Sequence, residues 1–94
     1  MMKALYNKEE LVKCLMEDLE DELEGILTYE HIYESMEGLG LYKEARTIER
    51  IAADEYDHVV SIWDMLKEHG TDIKSHPKIE EMWNEVKRIY SLNY

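Results

Sequence analysis

Asp54-Glu55-Tyr56-Asp57-His58 places a carboxylate and an imidazole three residues apart. On a helix both side chains leave the same face. Outward from this stretch, Ala45, Ile48, Ala52, Glu55, Val59, Ile62 and Leu66 step by three or four. That is the spacing of a helical stripe facing a core. A carboxylate inside such a stripe must be paired, protonated or bound to a cation, because burying it alone is costly. His58 adds the nitrogen that transition metals favour. A single Glu-x-x-His is common by chance and gains weight only if another helix supplies a matching acid.

The composition predicts helices on either side. The chain has 94 residues with 4 glycines and 1 proline, which leaves long uninterrupted stretches. Phenylalanine is absent, with 7 Tyr, 6 Met and 2 Trp in its place. The expected fold class is all-α, a single domain over residues 1–94. So short a chain buries a thin core, and pairing with a second copy would thicken it. The net charge of −11 argues against nucleic acid and anionic membrane as partners and is compatible with attracting cations. Cys14, the single cysteine, excludes an internal disulfide and a Cys-x-x-Cys knuckle, and a buried, inert thiol is its expected role. Neither a signal peptide nor an apolar run of membrane-spanning length stands out, so the expectation is a soluble, cytoplasmic protein.

Residues 1–6 read as a leader. Asn7 with Glu10 three later reads as a helix start, and the first helix is expected over 8–36. Its apolar positions are Leu11, Leu15, Leu19, Ile26, Tyr29, Tyr33 and Met36, with Glu22 filling the gap between Leu19 and Ile26. Leu23 and Leu27 widen the stripe, which suits a helix packed on more than one neighbour. Gly38-Leu39-Gly40 breaks the pattern. A second helix is expected over 41–69, ended by Gly70, and so short a connection makes the two helices antiparallel. Thr71 to His76 read as a linker. Pro77 opens a short third helix expected over 78–91, with Ile79, Met82, Trp83, Val86, Ile89 and Tyr90 on one side.

The matching acid is Glu22. It lies 17 residues before Leu39, and Glu55 lies 16 after it. In an antiparallel hairpin the two stand at nearly the same height, so Glu22, Glu55 and His58 can converge. Glu30 sits roughly 12 Å from that level by helix rise, and Glu24 points about 200° away from Glu22. Asp18, one turn from Glu22, is a candidate outer cation ligand, though a solvated acid is its plainer role. Dinuclear carboxylate sites in four-helix bundles take a Glu from each of two helices and a Glu-x-x-His from each of the other two. One chain carries half of that set, and two copies about a twofold axis would carry all of it. The expectation is a symmetric dimer, a four-helix bundle with two metals at its interface. Oxygen-rich ligation with one imidazole per metal suits iron or manganese and admits zinc. The rival reading is a buried polar network that only fixes helix register.

Glu22, Tyr29, Gly40, Ala45 and Glu55-x-x-His58, over roughly residues 15–69, resemble the ferritin-like superfamily and the rubrerythrins within it. The resemblance implies a di-iron site with Glu22, Glu55 and His58 as metal-binding and catalytic residues, and Tyr29 hydrogen-bonded to a ligand carboxylate. Rubrerythrins carry a second hairpin and a Cys-x-x-Cys centre, which this chain lacks. A single hairpin with a short third helix is similar instead to the encapsulated ferritins, whose paired half-bundles build the di-iron centre between subunits. That likeness implies a ferroxidase for iron storage or detoxification, in a homodimer or higher homo-oligomer, with an encapsulin shell as one destination. The ending Arg88 to Tyr94 does not clearly match a shell-targeting tail. The alternatives are a rubrerythrin-like peroxide or dioxygen scavenger fed by an external reductase, and a non-enzymatic helical interaction module.

Overall fold

The computed structural model describes residues 6–90, so most of the expected leader and residue 91 of the third helix lie outside the described residues. Asn7 starts the first helix, α1 (Lys8–Gly38), by accepting from the Glu10 N–H at 2.8 Å. Glu9 and Glu10 in its first turn oppose the positive end of the helix dipole. The helix runs two residues beyond the expected end at 36, because Gly38 remains helical and only Gly40 takes the left-handed conformation, with φ 78°. There the Leu41 N–H reaches the Met36 carbonyl at 2.8 Å and the Gly40 N–H reaches Glu37 at 3.0 Å. This pair of bonds is the Schellman closure that glycine permits. Helix α2 (Tyr42–Glu68) is one residue shorter at each end than expected and closes the same way at Gly70, φ 78°. A 3₁₀ turn, Ile73–Ser75, crosses the expected linker, with Asp72 accepting from the Lys74 N–H at 2.9 Å. Helix α3 (Pro77–Tyr90) begins at the proline, whose missing N–H costs nothing in a first turn.

The described residues are all-helical: two long helices packed together and a shorter C-terminal one. The core is built from Met16, Leu19, Leu23 and Ile26 of α1, Val59, Ile62 and Leu66 of α2, and Ile79, Trp83 and Val86 of α3. Helix α3 therefore packs on its own hairpin. Lys78 fixes its start through ion pairs to Glu20 at 2.6 Å and Glu24 at 3.5 Å. Tyr56 fixes its far end, stacked on Trp83 at 6.2 Å and on Tyr90 at 5.9 Å between ring centroids. The smallest extent of the molecule is 18 Å, room for two layers of helices and no more.

Two stripes run along α1. Met16, Leu19, Leu23 and Ile26 form the buried one, so Leu23 sits at the centre of the core rather than beside it. Of the expected stripe, Leu19 and Ile26 are buried, Leu15, Glu22, Tyr29, Tyr33 and Met36 are only half-buried, and Leu11 at its end is 42% exposed. Helix α2 follows expectation more closely, with Ala45, Ala52, Val59, Ile62 and Leu66 buried. Cys14 is a half-buried free thiol. No described helix is long and apolar enough to cross a membrane.

Leu23 is fully buried at the meeting of three helices. Leu23→Ala should cost about 2–5 kcal/mol, while Leu11→Ala should cost under about 1 kcal/mol. Urea unfolding followed by circular dichroism measures both, and equal losses would contradict this division of the stripes.

Candidate metal centre

Equal distances from the turn bring Glu22 of α1 and Glu55 of α2 to one level, and His58 follows Glu55 one turn on. One ligand atom from each of Glu22, Glu55 and His58 lies within 4.8 Å of the other two. Opposite donors around one transition-metal ion stand about 4.2 Å apart, so small side-chain movements complete a three-ligand set. Among the described residues these three form the one group of acids, histidines and cysteines close enough to hold a metal.

The donors are neither saturated nor deeply enclosed. His58 Nδ1 stands 3.7 Å from Glu22 Oε2, beyond hydrogen-bond length. The Glu22 side chain is 20% exposed and that of His58 is 59% exposed. Glu22 Oε2 is itself buried and has no hydrogen-bond partner among the described residues. An acceptor buried without a donor is destabilising, and a cation beside it relieves the cost. The chemistry of the donors, two carboxylates and an imidazole, fits iron, manganese or zinc. Ala52, one turn before Glu55, is buried, and its small side chain leaves space beside the ligands.

The cluster lies on the side of the hairpin away from α3. Glu20 and Glu24, which hold Lys78, sit two residues either side of Glu22 and so point roughly opposite to it at about 100° per residue. Around the cluster the surface is apolar at coiled-coil spacing. On α1 the seam is Leu15, Glu22, Tyr29 and Met36; on α2 it is Ile48, Ile51, Glu55, His58, Ile62 and Met65. Ile51 is 37% exposed and Met65 42%. The α2 seam steps by three and four, as in a helix that packs against another helix, while the α1 seam recurs only every seven residues.

Asp18 is exposed and outside the ligand cluster. Tyr29 is half-buried, and no hydrogen bond joins it to Glu22 among the described residues. It lines a cavity of about 230 Å³ on the hairpin-turn side of Ala52, with Glu30, Tyr33, Glu49 and Tyr90. Burial, with Glu34 and Glu49 nearby, raises the Glu30 pKa above its ordinary value, and burial with Glu30 and Glu49 does the same for the Tyr90 hydroxyl. The height rule had set Glu30 aside from the metal cluster, and the structure keeps it apart.

If Glu22 is an unrelieved carboxylate in the metal-free chain, Glu22→Gln should stabilise that form by about 1 kcal/mol near neutral pH. Thermal melting with a chelator present checks this. A loss of similar size would mean that His58 already serves Glu22 as a cationic partner.

Comparison with known proteins adds no relative: no family model, no curated protein and no solved structure matches the chain.

Proposed function

We propose that two copies of the chain pair through the uncovered seam and hold two iron ions between them. The supporting observation is the place of the ligands: half of a dinuclear set lies between the exposed Ile51 and Met65, on a seam that α3 reaches only at its Tyr29 and Ile48 end. A twofold axis there adds the partner's Glu22, the partner's Glu55 and the partner's His58. The same contact covers Ile51 and Met65, thickening a core that one chain leaves thin. Glu22 and Glu55 would hold the iron through carboxylate oxygens and His58 through an imidazole nitrogen. Bound iron supplies the electrons that reduce dioxygen or peroxide. The chain supplies the fixed spacing and the space beside the small side chain of Ala52. The net charge of −11 favours Fe(II) near the surface. The activity is Fe(II) oxidation for iron storage or detoxification. Its setting in the cytoplasm, or within an encapsulin shell, rests on the family resemblance and belongs to the proposal.

Fe(II) oxidation under air, followed by absorbance, tests it. Oxidation should saturate near one iron per chain, the number expected of a dinuclear site shared by two copies. In Glu55→Ala it should fall at least about tenfold, the loss of roughly 1.4 kcal/mol of transition-state stabilisation. Helicity by circular dichroism should be unchanged, since Glu55 is only half-buried. Wild-type rates in Glu55→Ala would overturn the assignment. Peroxide turnover under an added reductant, with no iron retained, would move the reading to the scavenging enzyme.

A further inference from the structure

The outer side of α2 is charged in two blocks. Beside the seam of Ile51, His58 and Met65 runs a second stripe at steps of three and four, exposed throughout. Lys43, Arg46 and Arg50 open it, and Asp54, Asp57, Ser61, Asp64 and Glu68 continue it. The half near the hairpin turn is basic and the other half acidic. Among the described residues Lys43, Arg46 and Arg50 form no ion pair, although the chain has 22 acids against 11 lysines and arginines. Lys67 meets one oxygen of Asp64 at 3.2 Å. On α1 the stripe beside the seam divides differently. Glu10, Glu17 and Asp21 come before the level of Glu22, while Thr28, His31 and Ser35, none of them acidic, come after it. Glu24, between the two groups, is turned to Lys78.

Two twofold axes can bring two sets of Glu22, Glu55 and His58 to one level. An axis along the helices sets α2 against the partner's α1, and residues of equal height meet. Asp57, Asp64 and Glu68 then fall beside the partner's Asp21, Glu17 and Glu10, acid on acid. The three cations fall beside the partner's Thr28, His31 and Ser35 and meet no acid. An axis across the helices sets α2 against the partner's α2, running the other way. Arg50 stands about 10 Å before the midpoint of Glu55 and His58, and Asp64 about 11 Å beyond it. For Arg46 and Glu68 the distances are about 16 Å and 17 Å. Each arginine thus reaches the level of an acid on the partner, and Lys43 follows one turn further out. Asp54 and Asp57 meet acids near the axis in both arrangements and do not choose between them.

We propose, on the footing of the paired centre above, that the copies pair about the axis across the helices. Helix α2 lies antiparallel to the partner's α2, with Arg50 against the partner's Asp64 and Arg46 against the partner's Glu68. The second copy is therefore what the basic start of α2 meets. Ion pairs at the rim of an interface add little affinity, whereas like charges set together there are costly, so this pattern selects the direction of pairing more than its strength.

Two charge-reversed chains test the orientation: Arg46→Glu with Arg50→Glu, and Asp64→Lys with Glu68→Lys. Each is compared with the wild type by sedimentation and native mass spectrometry, at low ionic strength with Fe(II) added anaerobically. All four residues are exposed, so helicity should be unaltered. Each reversed chain alone should dimerise about tenfold more weakly or worse, with the loss fading in about 1 M salt. An equal mixture of the two should form mixed dimers as tightly as the wild type, because every reversed residue then meets its opposite. If the wild type is dimeric but Asp64→Lys with Glu68→Lys pairs alone as well or better, or the mixture gives no mixed dimers, the orientation is overturned and the shared centre stands. A monomeric wild type overturns both.

Discussion

The placement of one carboxylate governs the rest of the structure. Glu22 stands on an apolar stripe with a buried oxygen that no hydrogen bond among the described residues satisfies. A folded chain tolerates such an atom only where something else compensates it. The nearest groups are Glu55, which carries the same charge, and His58, 3.7 Å away. Two carboxylates side by side repel, and one imidazole at that distance does not neutralise both. Under the proposed function a bound cation would resolve the conflict, and a second copy of the same face would cover the exposure around it.

The helices are arranged so that this face stays open. Helix α3 is short: Lys78 pairs with Glu20 and Glu24, Trp83 and Tyr90 stack on Tyr56, and Ile89 and Tyr90 meet the seam only at the cavity lined by Tyr29 and Ile48. Its apolar side is used up by Leu19, Leu23 and Ile26. What remains is a seam with three-and-four spacing on α2, interrupted by polar groups only where the ligands and Asp18 lie. The hairpin turn sets the register of both helices. Gly40 closes it with two backbone bonds, and a slip of one residue there would move Glu55 about 100° round the helix and out of reach.

Much of this was legible in the residues. The turn at Gly38-Leu39-Gly40 and the near-equal distances of Glu22 and Glu55 from it gave the convergence, because helix rise is constant. The stripe Ala45, Ala52, Val59, Ile62 and Leu66 emerged buried because α2 is apolar along one side only. Helix α1 is apolar along two sides, and periodicity alone cannot rank them. The expected stripe mixed the two sides: its Leu19 and Ile26 are in the core, its Leu15, Tyr29 and Met36 are only half-buried, and Leu23, expected beside it, is at the centre. Docking of α3 decides the matter by burying the Leu23 side under Ile79, Trp83 and Val86, contacts between residues distant in sequence. Tyr29 has the spacing of a ligand partner but not the contact.

The central claim is that two chains share one dinuclear centre. Native mass spectrometry after anaerobic Fe(II) addition tests it most directly, on the wild-type chain and on Ile51→Lys, which places a charge in the bare seam beside Glu55. The account predicts wild-type dimers, or multiples of dimers, carrying about two irons per pair, the count of a dinuclear carboxylate site. It also predicts Ile51→Lys monomers that take up iron weakly. Monomers of the wild-type chain that bind iron unaided, or dimers that bind none, would contradict it.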